Sequence, residues 1–104
     1  MNLRQHQQWL IDFYKQRVRY SYSSFIRLNY LTEEVGELSR AVRALEIGRD
    51  HPGEKKQSHE FLENNLKEEL ADILDQFLFF CDKYDIKIDD LLQASEGKLK
   101  KRFE

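Results

Sequence analysis

The sequence predicts an all-α protein. Breakers are scarce, with one proline and four glycines in 104 residues, and no stretch alternates apolar and polar residues over a useful strand length. Apolar residues instead recur three and four positions apart, which is the period of an amphipathic helix.

The first helix is expected over about Leu3 to Arg19, with Trp9, Leu10, Phe13 and Val18 as its apolar positions. The run Ser21-Tyr22-Ser23-Ser24 interrupts it and offers Ser24 as the next N-cap, since a short hydroxyl side chain accepts a hydrogen bond from a first-turn amide. A second helix follows from about Phe25 to Ile47, and its Leu31, Val35, Leu38, Val42 and Leu45 repeat along one face as a core stripe. Gly48 to Ser58, with Asp50, Pro52, Gly53 and the pair Lys55-Lys56, has the chemistry of a surface loop after a helix end. The third helix, about His59 to Tyr84, places Leu62, Leu66, Leu70, Ile73, Phe77 and Cys81 on one face. Leu74, Leu78, Phe79 and Phe80 extend its apolar surface nearly all round, so it must be covered on most sides. Asp89, or Asp85 before it, is the expected cap of a last helix carrying Leu91, Leu92 and Leu99.

Length and composition indicate one domain spanning residues 1–104, and at 40% hydrophobic content its core is thin. A chain this short buries only about two-thirds of its unfolded surface. Oligomerisation is the usual remedy without disulfides, and Cys81 has no partner for a bridge. A cytoplasmic, reducing location is the expectation. No basic start leads into an apolar run, and the longest apolar stretch, Phe77 to Cys81, is far below the roughly 20 residues that span a membrane.

Seventeen basic and nineteen acidic residues nearly cancel, so no overall field draws the chain to nucleic acid or to an anionic membrane. The charges are nevertheless segregated. Lys98, Lys100, Lys101 and Arg102 gather near the end of the sequence, while acids concentrate in Glu33 to Glu37 and Glu68 to Asp75.

Within those acidic segments one spacing occurs twice: Glu34-Val35-Gly36-Glu37 on the second helix and Glu69-Leu70-Ala71-Asp72 on the third. Residues three apart share a helix face. Each pair lies beside its apolar stripe, the second acid further round than the first, and packing the stripes together lets four carboxylates converge. Acidic helices are often just solvated and ion-paired. Here Glu33 and Glu37 are like charges four apart, as are Glu68 and Asp72, and only Arg40 and Lys67 are near enough in sequence to offset them. Such crowding favours an external cation. Small Gly36, Ala41 and Ala71 leave room for an ion and its waters, and all-oxygen ligands suit Mg²⁺, with Mn²⁺ a substitute. A di-iron bundle wants Glu-x-x-His, but positions 40 and 75 are Arg and Asp.

The acidic pattern Glu33-Glu34-Val35-Gly36-Glu37-Leu38, a loop, then Glu68-Glu69-Leu70-Ala71-Asp72-Ile73-Leu74 resembles the MazG-like branch of the all-α NTP pyrophosphohydrolases, over about Leu31 to Lys98. The resemblance implies a four-helix MazG-like bundle that assembles as a homodimer or a dimer of dimers. It implies Mg²⁺-dependent cleavage between the α and β phosphates, giving a nucleoside monophosphate and pyrophosphate. Matched by motif position, Glu34, Glu37, Glu69 and Asp72 are the metal ligands, and Glu34 or Glu37 is the carboxylate that takes a proton from the attacking water. Lys98 falls where relatives place a phosphate-contacting lysine, whereas Arg102 stands where an asparagine is common.

The resemblance also suggests that the base lies against an aromatic residue of the first helix, for which Trp9 is the candidate; core or interface packing is the other role open to it. The basic residues around Lys98 equally suit a helix C-terminus. Lys55 and Lys56 are either solvated or within reach of phosphates, and His6, His51 and His59 show no ligand spacing. Two other functions remain open on the sequence: a non-catalytic helical interaction module, and a phosphoribosyl-ATP pyrophosphohydrolase-like enzyme.

Overall fold

The computed structural model describes residues 1–104 and contains four helices and no strand. They are α1 (Leu3–Gln16), α2 (Ser24–Ile47), α3 (His59–Lys83) and α4 (Ile88–Phe103). Two compact units share them: Met1–Tyr22 with Phe77–Glu104, and Ser23–Gln76. None of the helices is long and apolar enough to cross a membrane.

In the first unit, α1 opens with a reciprocal cap in which Asn2 Oδ1 accepts from the Gln5 amide and Gln5 Oε1 from the Asn2 amide, both at 2.9 Å. Leu10, Leu78 and Ile88 form a buried cluster with Tyr14 packed against it. Phe79 is fully buried, and the rings of Tyr14, Tyr20 and Phe80 meet it edge-on. Polar contacts tie the elements together. Gln7 donates to the Leu78 carbonyl at 2.9 Å, the Tyr20 hydroxyl donates to Asp82 at 2.7 Å, and Arg4 pairs with Asp89.

Three helix ends follow one rule, that orphan carbonyls are met by a turn needing positive φ. At the end of α1, the Arg19 amide reaches the Tyr14 carbonyl at 2.9 Å and the Val18 amide reaches Lys15 at 3.3 Å. This places Val18 at φ 59°. At the end of α3, Ile86 bonds Cys81 at 2.8 Å and Asp85 bonds Asp82 at 3.2 Å, with Asp85 at φ 55°. Gly48 closes α2 at φ 71°.

These turns correct several expected boundaries. The first helix stops at Gln16 rather than Arg19, because its last carbonyls are already taken by the turn. Ser23, not Ser24, caps α2, accepting from the Ile26 amide at 3.3 Å. Neither Asp85 nor Asp89 caps α4: Asp85 is committed to ending α3, and Asp89 lies inside the first turn with Asp90, where negative charge suits the helix N-terminus. Lys87 holds the cap position without a side-chain hydrogen bond.

In the second unit the inward faces differ from the expected stripes. On α2 they run through Arg27, Leu31, Glu34, Leu38, Ala41 and Leu45, while Val35 and Val42 turn outward, 49% and 44% exposed. On α3 they run through Leu62, Leu66, Glu69, Ile73 and Gln76, and Leu70 turns outward. The apolar arc of each helix is wider than the strip its partner covers, so period alone does not say which edge faces in. The consequence is functional: Glu34 and Glu69 stand within the inward faces, not beside them.

Candidate metal centre

Electrostatic neighbours show how α2 and α3 pair. Glu34 feels Asp72 and bonds Gln76, Glu37 meets Glu69, and Arg40 and Ala41 share a cavity wall with Asn65. Rising numbers on α2 meet falling numbers on α3, so the two helices run antiparallel. This register makes Glu34, Glu37, Glu69 and Asp72 electrostatic neighbours across the two helices.

Their carboxyls behave as a crowded, partly desolvated group. Burial, then the charge of Asp72, with smaller contributions from Glu37 and Glu69, lifts Glu34 from 4.5 to about 7 against the opposing hydrogen bond from Gln76. Glu69 is raised by burial first, then by a hydrogen bond with Glu37 and by the charges of Glu37, Asp72 and Glu68. Asp72 is raised by burial, then by Asp75, Glu37 and Glu68.

Two oxygens decide whether these residues fit a cation. Glu34 Oε2 and Glu69 Oε2 are buried and meet no hydrogen-bond partner, and a buried carboxylate oxygen without a donor costs stability unless a positive charge is brought to it. The donor set is all oxygen, which fits a hard cation. No three His, Cys, Asp or Glu side chains are drawn to coordinating distance around one point.

Gln76 is the residue that sequence reasoning missed. It is 4% exposed and shares a side-chain hydrogen bond with Glu34, leaving its own Oε1 without a partner. The signal was a polar residue seven after Glu69, in step with the inward face. The space around the acids owes nothing to Gly36, because a Cβ there would meet nothing within 4 Å. Ala41, 2% exposed, is the small residue that packs inside.

Of the remaining predicted residues, Trp9, Lys98 and Arg102 belong to the first unit. Trp9 is 58% exposed on α1 and stacks on Phe13 at 5.2 Å between centroids. Lys98 and Arg102 are exposed on α4, Arg102 in a basic last turn with Lys100 and Lys101. Glu33 and Glu68 are exposed beside the four acids.

Fold and site together define an all-α protein with a carboxylate cluster built on an antiparallel helix pair. The chain belongs to the MazG nucleotide pyrophosphohydrolase domain family, which matches over residues 24–104. It is 42% identical over 104 residues to the uncharacterized protein YvdC of Bacillus subtilis (strain 168), covering 100% of this chain and 98% of that one. No solved structure matches.

Proposed function

We propose that the protein is a Mg²⁺-dependent nucleoside triphosphate pyrophosphohydrolase that cleaves between the α and β phosphates. The observation that carries this reading is the pair of buried, partnerless oxygens, Glu34 Oε2 and Glu69 Oε2, inside a cluster of mutually repelling acids. Family membership supplies the substrate class.

Glu34, Glu37, Glu69 and Asp72 hold the metal, with Mn²⁺ able to substitute. When bound, Mg²⁺ would supply positive charge that offsets the negative charge developing on the phosphates during transfer. Gln76 fixes the Glu34 carboxylate through its hydrogen bond. Glu34 or Glu37 accepts the proton of the attacking water. Lys98 and Arg102 contact phosphates, and Trp9 offers an exposed ring for the base.

The chain works as a homodimer or a dimer of dimers in the cytoplasm. Exposed apolar side chains support this: on α2, Phe25 is 82% and Leu28 53% exposed, and on α3 Leu70 is 51%. In the second unit Ala41 is the one buried apolar residue, so the helix pair gains much by packing against another copy. Cys81 is a buried free thiol.

The test is to incubate the protein with a panel of ordinary and modified nucleoside triphosphates and Mg²⁺ and to assay the products. Monophosphate and pyrophosphate in equal amounts are expected. Orthophosphate as the direct product, or no turnover of any nucleotide, would overturn the reading.

A further inference from the structure

The second unit also carries a basic trough that the acids do not account for. A cavity of about 310 Å³ is lined by Glu37, Glu54 and Glu69 together with Arg40 and Arg43. A larger cavity of about 460 Å³ lies between the end of α2, the connection after Gly48 and the start of α3. Ala44 and Glu54 line both, so the two adjoin. Arg49, Lys55 and Lys56 border the larger cavity, and Glu54 is the one acid on its wall.

The connection bearing these cations is braced by its own side chains. Glu54 Oε2 accepts from the Asp50 amide at 2.8 Å, Arg49 Nη1 donates to the Pro52 carbonyl at 3.3 Å, and Arg43 Nη1 lies 3.1 Å from Asp50 Oδ1. Glu54 and Asp50 are thus engaged within the connection. Lys55 and Lys56 stand exposed at the rim. The chain as a whole has a net charge of −2, so this gathering of cations is local.

A trough that begins at metal-binding acids and continues along arginines and lysines is matched by a chain of phosphates. We propose that it is a polyphosphate subsite holding the β and γ phosphates of a nucleoside triphosphate. Arg40 and Arg43 take the phosphate nearest the acids, where a planar guanidinium can bind two oxygens at once. Lys55 and Lys56 take the terminal phosphate as point charges. The proposal rests on the pyrophosphohydrolase reading and adds a basis for specificity: Lys55 and Lys56 touch only a phosphate that a nucleoside diphosphate lacks. They therefore set the preference for triphosphates.

The test compares wild type with Lys55→Gln/Lys56→Gln, using Lys15→Gln/Lys87→Gln as a control of equal charge. Inorganic tripolyphosphate is titrated into each by calorimetry in Mg²⁺, and kcat/KM is measured for a nucleoside triphosphate and its diphosphate. The Lys55/Lys56 variant is expected to bind tripolyphosphate roughly three- to tenfold more weakly, and its triphosphate-to-diphosphate preference is expected to fall by a similar factor. The control should match wild type. Equal tripolyphosphate binding by all three proteins would overturn the proposal, as would an equal loss in the control, which would reduce the effect to net charge. Wild type that turns over no nucleotide overturns the enzymatic reading instead, and lysine-dependent tripolyphosphate binding would still establish the trough as a phosphate site.

Discussion

Asp72 on α3 is the charged neighbour that acts most strongly on Glu34 of α2. After burial itself, it does most to lift that carboxyl to about 7. The two acids face each other across an antiparallel helix pair, and the cost of keeping them there is set by pH. A carboxyl whose folded pKa exceeds its ordinary 4.5 binds its proton more tightly folded than unfolded. Its contribution to stability is greatest below 4.5 and is lost as pH rises to about 7. Glu69 and Asp72 act in the same sense.

Without metal, then, the melting temperature should fall between about pH 5 and pH 8, and Glu34→Gln should flatten that fall. Saturating Mg²⁺ should restore the melting temperature at the higher pH by binding the folded state. A metal-free melting temperature that climbs over this range would contradict the crowding of the four acids.

Gln76 should matter to metal affinity more than to the fold. Gln76→Leu keeps the buried volume but removes the hydrogen bond to Glu34. Loss of such a supporting contact typically weakens metal binding about tenfold or more. Calorimetric titration of Mn²⁺ into the variant checks this, and unchanged affinity would remove Gln76 from the site.

The turn after α1 carries a correctable strain. Val18 is β-branched, 72% exposed and held at φ 59°, a conformation that glycine adopts freely. Val18→Gly should raise stability by about 1 kcal/mol in urea unfolding. A loss of stability would mean that its side chain packs in a way its exposure conceals.

Gly36 sits inside α2 with open space where a Cβ would go. Gly36→Ala should therefore stabilise the helix by about 0.5–1 kcal/mol and leave Mn²⁺ binding as in wild type. If instead sedimentation shows the variant to be less associated than wild type, a second chain lies against Gly36.

Much of this molecule is legible in the sequence. The four helices and the paired acids follow from spacing, because a motif repeated at i and i+3 fixes a face whatever the tertiary packing. Which edge of the apolar arc turns inward did not follow: Val35, Val42 and Leu70 read as core and are half-exposed, while Glu34, Glu69 and Gln76 take the inward positions. Hydrophobic period records what needs covering and not what covers it. Helix ends were misplaced for a related reason, since Val18 and Asp85 do the work usually left to glycine, and neither residue advertises a left-handed turn. The loop lysines read as solvated or within reach of phosphates, and the cavity they border depends on how the connection folds back between two helices, which spacing along the chain does not record.

The central claim is that Glu34, Glu37, Glu69 and Asp72 form one divalent-cation site serving a triphosphate substrate. Mn²⁺ binding followed by electron paramagnetic resonance, with a triphosphate analogue uncleavable between its α and β phosphorus atoms, tests it most directly. Wild type should bind Mn²⁺ saturably, and Glu69→Gln and Asp72→Asn should each weaken that binding at least about tenfold while retaining the helical circular dichroism of wild type. Variants that fold and bind Mn²⁺ as wild type does would contradict the claim.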